Sequence, residues 1–195
     1  MTVGEIEVDE NVGPHAGAGM SGGRIEVRGN AGDWLGAEMC DGAIHVRGDA
    51  GDHAGGAYVG SRRGMNGGTL LIDGNAGDEV GGRMRRGLIA VAGSVGDWLG
   101  RRMLAGSILV FGNCGQHPGA SMRRGTIALL GKQRPELSPT FRWGCRAPLP
   151  VLRLLQHRLR HESFADDRRA DLANAVDLYH GDLLELGRGE LLMRA

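Results

Sequence analysis

Six copies of one glycine pattern, G-x3-G-x2-M-x2-G-x-Φ-x-Φ-x-G with Φ aliphatic, fill residues 13–131 and hold 24 of the chain's 36 glycines. The period is 19 residues in every copy except the third, where it is 26. Self-similarity at about 20 residues marks a solenoid, because each copy can bury its apolar side only against the copies before and after it. Between the third and fourth glycines of each copy the aliphatics alternate, as Ile25/Val27, Ile44/Val46, Leu70/Ile72, Ile89/Val91, Ile108/Val110 and Ile127/Leu129. Such alternation predicts a short strand with one buried face. The glycine at each strand end is expected to supply the positive φ of a tight corner. A methionine column (Met20, Met39, Met65, Met84, Met103, Met122) runs beside them, and flexible thioethers suit the filling of gaps between coils.

One coil per copy at about 4.8 Å spacing predicts a rod roughly 30 Å long. The expected fold is all-β, a right-handed parallel β-helix of about six coils with a short helical C-terminal appendage. Residues 1–131 form the β-helix in this reading, 132–148 a proline-bearing linker, and 149–195 the appendage. There Leu152, Leu154, Leu155 and Leu159 follow Pro150, predicting an amphipathic helix. A second helix is expected over Asp166 to Leu178, then a turn and a short strand. An open solenoid end needs cover, so the tail is expected to cap the rod or lie on its flank. The seven extra residues of the third copy fall between Gly55 and Met65 and predict an edge loop, a common place for binding.

Net charge is zero but unevenly spread: residues 1–60 hold ten acidic and three basic side chains, and residues 61–134 four acidic and eleven basic. The expected rod is therefore polarised, which bears on docking rather than on fold. Without net positive charge or aromatic platforms, nucleic acid is not an expected partner. No signal peptide and no membrane-spanning apolar run are present. The three scattered cysteines, Cys40, Cys114 and Cys145, suit a reducing cytoplasm.

Several patterns invite a chemical reading. Gly17, Gly19 and Gly22 match the dinucleotide G-x-G-x-x-G, but the repeat already accounts for Gly17, and the fingerprint needs a strand before it and a helix after it. A column two residues after the first glycine reads His15, Trp34, His53, Glu79, Trp98, His117. Trp34 separates the first two histidines, so a ladder of large side chains packing on one another is expected rather than a zinc site. Asp33, Asp52, Asp78 and Asp97 just before that column are expected to accept backbone N–H bonds. His157 and His161 at i,i+4 read as a solvated helix face. Paired arginines stand out most: Arg62, Arg63, Arg85, Arg86, Arg101, Arg102, Arg123 and Arg124. Stacking would gather them along one edge, where guanidinium groups bind carboxylates or phosphates of a ligand or partner. No nucleophile, acid/base or metal-ligating constellation is recognisable, so no catalytic residues and no metal are expected in this chain.

The repeat with its long third copy (Gly56-Ala-Tyr-Val-Gly-Ser-Arg-Arg-Gly-Met65), together with Met84-Arg-Arg-Gly, Met122-Arg-Arg-Gly-Thr, Pro139-Thr-Phe-Arg and Gly181-Asp-Leu…Leu186-Gly-Arg-Gly-Glu, resembles the glycine-repeat subunit of formylmethanofuran dehydrogenase. The bacterial counterpart in the formyltransferase/hydrolase complex is the nearer likeness, along nearly the whole chain. The glycine repeat, the GXGXG motif, is shared with the C-terminal domain of the glutamate synthase large subunit; the tail discriminates. The resemblance implies a non-catalytic scaffold in one-carbon metabolism. Its implied partners are amidohydrolase-like, molybdoenzyme-like and formyltransferase subunits. It also implies a formyl group passing between methanofuran-type and tetrahydromethanopterin-type carriers, in an oxidoreductase-type complex whose molybdopterin or zinc sits only on partner chains. The carrier's polyglutamate chain is then an expected ligand of the arginine edge. The alternative is a β-helix subunit of a glutamate-synthase-like flavoenzyme. Family members carry some tens of residues before the first repeat, whereas this chain starts almost at its first coil; either the true start lies upstream or the N-terminal cap is missing, and an uncapped acidic coil would suit an obligate subunit.

Overall fold

The computed structural model describes residues 1–165 and 172–195. Its elements are β1 (Glu5–Val8), β2 (Ser21–Val27), β3 (Asp41–Val46), β4 (Asn66–Ile72), β5 (Arg86–Val91), β6 (Ser107–Val110), β7 (Arg124–Leu129), β8 (Arg142–Ala147), helix α1 (Pro150–His161), β9 (Val176–Gly181) and β10 (Arg188–Arg194). The fold is all-β with one short helix. Strands β1 to β7 lie side by side in chain order and all parallel. Pairing holds the repeat in register, so Ile25, Ile44, Leu70, Ile89, Ile108 and Ile127 form one file. A second file of single parallel bridges joins Val12, Ala31, Ala50, Ala76, Val95 and Cys114. Each copy therefore makes one coil stacked on the last.

The glycine and methionine columns explain each other. All six repeat methionines are buried. A Cβ on Gly42 would stand 2.6 Å from the Met20 methyl of the coil below, so the thioether fills the room that glycine leaves. Gly42 also takes φ +98°, as expected for a strand-end corner. The fourth glycine column differs from expectation. Gly112 takes no left-handed φ; a Cβ there would run into the carbonyl group of Gly93. Space between coils, not backbone freedom, requires glycine at that strand end.

Polar side chains also stack. The Asp33 carboxylate accepts from the N–H of Asp52, Asp52 from Asp78, Asp78 from Asp97 and Asp97 from Gln116, at 2.7–2.9 Å. These aspartates do accept backbone bonds, and they do so between coils. A parallel ladder missed in the sequence runs through Asn11, Asn30, Asp49, Asn75 and Ser94.

The tail covers both the end and the flank of the stack. Strand β10 pairs parallel with β7, Gly189 beside Gly125, so Leu191 and Met193 extend the inner files of Ile127 and Leu129. Its Gly189-Glu-Leu191-Leu-Met193 repeats the strand pattern, with Met122 lying against Gly189. Strands β9 and β8 then add antiparallel and end the parallel growth. Phe141 is buried among the inner residues at this end. On the flank, Leu71, Leu88, Ala90, Leu109, Phe111, Ala128 and Leu130 form an outer apolar face. It is covered by Leu152 and Leu159 of α1, by Phe164 and by Leu172. Pro150 opens the helix, as expected. Leu154, expected on the buried stripe, is instead 72% exposed. Arg158 donates to the Thr69 hydroxyl at 2.6 Å and Glu162 pairs with Arg24 at 2.9 Å, fixing the helix across the sheet.

Two expectations change here. The expected linker 132–148 carries strand β8. The second helix expected over Asp166 to Leu178 falls partly outside the described residues, and its remainder is a short turn leading into β9.

Asp177 on β9 holds the edge strand. It accepts from Arg146 Nε at 2.7 Å and Nη2 at 2.9 Å, and from Arg134. These guanidinium groups, Arg146 foremost, hold its carboxyl well below the usual carboxylate range. A depressed folded-state pKa stabilises above the unfolded value of about 3.9 and is lost as pH falls through the folded value. Melting temperature should therefore fall as pH drops below about 4, and Asp177→Asn should remove part of that dependence while lowering stability at neutral pH. Parallel pH profiles for the two proteins in thermal melts would contradict this.

A candidate binding groove on the arginine edge

The column His15, Trp34, His53, Glu79, Trp98, His117 stacks along one edge of the coils. Every member takes a left-handed φ, between 54° and 66°. Such backbone costs L residues about 1–2 kcal/mol each. It persists where neighbours over-determine it: the N–H of Trp34 donates to Asp52 O and that of His53 to Asp78 O, both at 2.8 Å. The side chains pack as a ladder, as expected. Trp34 stacks on His53 with centroids 4.1 Å apart, and Trp98 lies 4.5 Å from His117.

The extra residues of the third copy leave the stack at Gly56, as expected, and fold back over the early coils. Tyr58 lies 5.1 Å from Trp34, and its hydroxyl is 2.9 Å from His15 Nδ1. Burial, and then the Glu38 carboxylate, raise the Tyr58 hydroxyl above its ordinary pKa. Val59 at the loop tip is 98% exposed. Beneath the loop is a cavity of about 300 Å³ walled by Trp34, His53, Tyr58, Glu79, Arg83 and Arg101. Arg101 is held there by Glu79 at 2.9 Å and lies 5.3 Å over the Trp98 ring.

A second cavity of about 360 Å³ adjoins it, sharing Arg83 and Arg102, and is walled further by Arg62, Ser121, Arg123 and Glu185. Of the eight arginines named from the sequence, Arg62, Arg101, Arg102 and Arg123 thus line this continuous groove. Arg63, Arg85, Arg86 and Arg124 line neither cavity. The sequence reading missed Arg83, although it shares the position before methionine with Arg102, and both take left-handed φ. It also missed Tyr58 and Glu185; the latter comes from the turn between β9 and β10 and had no sequence signal. Arg83 is anchored on Ser61 O at 2.9 Å, and Arg123 on Glu185 at 3.0 Å. The Arg62 and Arg102 side chains have no hydrogen bond or ion pair among the described residues. The groove thus sets anchored guanidinium groups beside ones whose side chains have no partner among the described residues, a chemistry that suits carboxylates and phosphates.

Among the described residues, no three His, Cys, Asp or Glu side chains gather as metal ligands, and no helix is long and apolar enough to cross a membrane. Partial burial, and then Asp97, push the Cys114 thiol up to about 12, the range of an inert thiol.

No family model matches the chain, and none of the curated proteins does. Among solved structures, it is similar to a chain of the formyltransferase/hydrolase complex from Methylorubrum extorquens, determined with methylofuran. The identity is 44%, the TM-score 0.91, and the match covers 98% of this chain and 71% of that one. With identity of that extent over 98% of its length, the chain belongs to the formylmethanofuran-related family of formyltransferase/hydrolase complex subunits.

Proposed function

We propose that this chain is the non-catalytic scaffold subunit of a formyl-transfer complex in one-carbon metabolism, working in the cytoplasm. The observation that carries the reading is the 44% identity along 98% of the chain to a subunit of such a complex. The surface supports it physically. Trp143 on the outermost strand is 60% exposed, and Leu184 and Leu186 on the β9–β10 turn are 82% and 70% exposed. Large apolar groups left on edges and turns suit a chain buried among partners.

The partners in this reading are amidohydrolase-like, molybdoenzyme-like and formyltransferase subunits. The complex passes formyl groups between methanofuran-type and tetrahydromethanopterin-type carriers, and any molybdopterin or zinc belongs to the other chains. The arginine edge supplies an anion site for the carrier's acidic chain or for a partner. Purification of the chain from its own cells under native conditions tests the reading. Co-purification with an amidohydrolase-like chain and a formyltransferase is the expected result; a flavin-containing partner, or a lone monomer, would overturn it.

A further inference from the structure

We infer that the arginine groove is a docking site for an acidic, aliphatic-bearing segment of a partner protein, and that Glu185 occupies part of it when that segment is absent. The inference rests on the scaffold reading and specifies where one partner binds. In the second cavity, Arg62, Arg83, Arg102 and Arg123 share one lining carboxylate, that of Glu185, while Glu79 in the adjoining cavity is engaged by Arg101. Like charges brought together repel, and the one acid present engages only Arg123, at 3.0 Å. The Arg62 and Arg102 side chains remain without a partner among the described residues. The site is thus short of negative charge, and Glu185 shows the chemistry that satisfies it: a carboxylate presented on a protein turn.

That turn is built to hold its acid in place. The Asp182 carboxylate accepts the N–H of Ser121 at 3.1 Å and that of Leu184 at 3.0 Å, anchoring the turn against the groove wall. The groove walls also discriminate between acidic ligands. Val59 in the first cavity and Leu104 in the second are aliphatics among the charged lining, and the exposed Leu184 and Leu186 flank Glu185 on its turn. A free carboxylate chain or inorganic anion gains nothing from them. A polypeptide segment with carboxylates beside leucine-like side chains uses both, with charge setting encounter and apolar contact setting residence.

The experiment uses the full chain and a short synthetic peptide of glutamates and leucines. Its controls are the same peptide with glutamine for glutamate, free tricarballylate, and inorganic phosphate. Calorimetry should show binding of the acidic peptide that weakens roughly tenfold in Arg62→Gln/Arg102→Gln, while Arg63→Gln, outside the groove, leaves it unchanged. Glu185→Gln should tighten the peptide several-fold by removing the internal competitor. Both groove arginines are exposed, so unchanged melting temperatures will separate lost binding from lost folding. Equal binding of the glutamine peptide, or no effect of the arginine pair, overturns the inference. Tricarballylate or phosphate binding as tightly as the peptide would make the site one for small anions, and self-association blocked by peptide would make the occupant a second copy. Either result removes the partner segment while leaving the scaffold reading to stand or fall on co-purification.

Discussion

Gly112→Ala is expected to give a chain that does not fold, or one destabilised by more than about 3 kcal/mol and melting roughly 10 °C lower. The added methyl would run into the Gly93 carbonyl of the coil below. That carbonyl cannot retreat, because it accepts the N–H of Gly112 at 2.9 Å. Lifting the coil instead would break that bond and press Gly112 against Gly131, whose own Cβ position meets the Gly112 carbonyl. The control is Gly13→Ala. Gly13 is a repeat glycine of the first coil, and a methyl group added there would have nothing within 4 Å, so its change should stay within about 0.5 kcal/mol. Thermal melts of the two variants decide the matter: equal curves would mean that coil spacing does not dictate glycine.

Phe164→Ala is expected to cost about 3 kcal/mol, and most of that loss should fall on the tail rather than on the coils. Phe164 is fully buried, with its ring 6.3 Å from Phe111 and 5.8 Å from His45. It belongs to the outer apolar layer with Leu152 and Leu159, whereas the inner files of Ile89, Met84 and their neighbours form a separate cluster. Loss of the ring should release α1 and expose it to protease while the stacked strands keep their protection. Digestion followed by mass analysis tests this; cleavage spread equally through coils and tail would show that the two layers unfold together.

The inner half of the molecule was legible because one periodicity wrote it. Ile25 and Val27 alternate with charged neighbours, and the same two positions recur in every copy. The third-copy loop was legible because Met65 kept its column despite the added length. The outer layer was written less plainly. Glu26 and His45 hold the middle outward positions of the early strands, but Leu71, Ala90, Leu109 and Ala128 hold them later. Strand segments apolar at successive positions, such as Leu70-Leu-Ile72 and Ile108-Leu-Val110, have both faces buried. An alternation test that asks for one buried face passes over that signal. Likewise, Leu154 fitted a helical stripe by spacing yet lies in solvent, since Leu152 and Leu159 suffice to meet the outer face. The arginine edge was half legible. Doublets drew attention to Arg85, Arg86 and Arg124, while the groove is made by column neighbours on successive coils. Glu185 reaches it from 62 residues beyond Arg123, a distance no local pattern records.

The aspartate ladder has a consequence for protein engineering. Between Asp52 and Asp78 the chain runs 26 residues instead of 19, yet the bond joining them is 2.8 Å, within the 2.7–2.9 Å of the ordinary rungs. The coil therefore accepts added length at its loop corner without any change in the rungs above and below, and loop lengthening itself costs little entropy. The equivalent corners between Gly36 and Met39, Gly81 and Met84, and Gly100 and Met103 are then ready graft points. The molecule is a display frame whose addresses lie about 4.8 Å apart along one edge, a spacing at which several inserted epitopes could be read together by a single receptor surface.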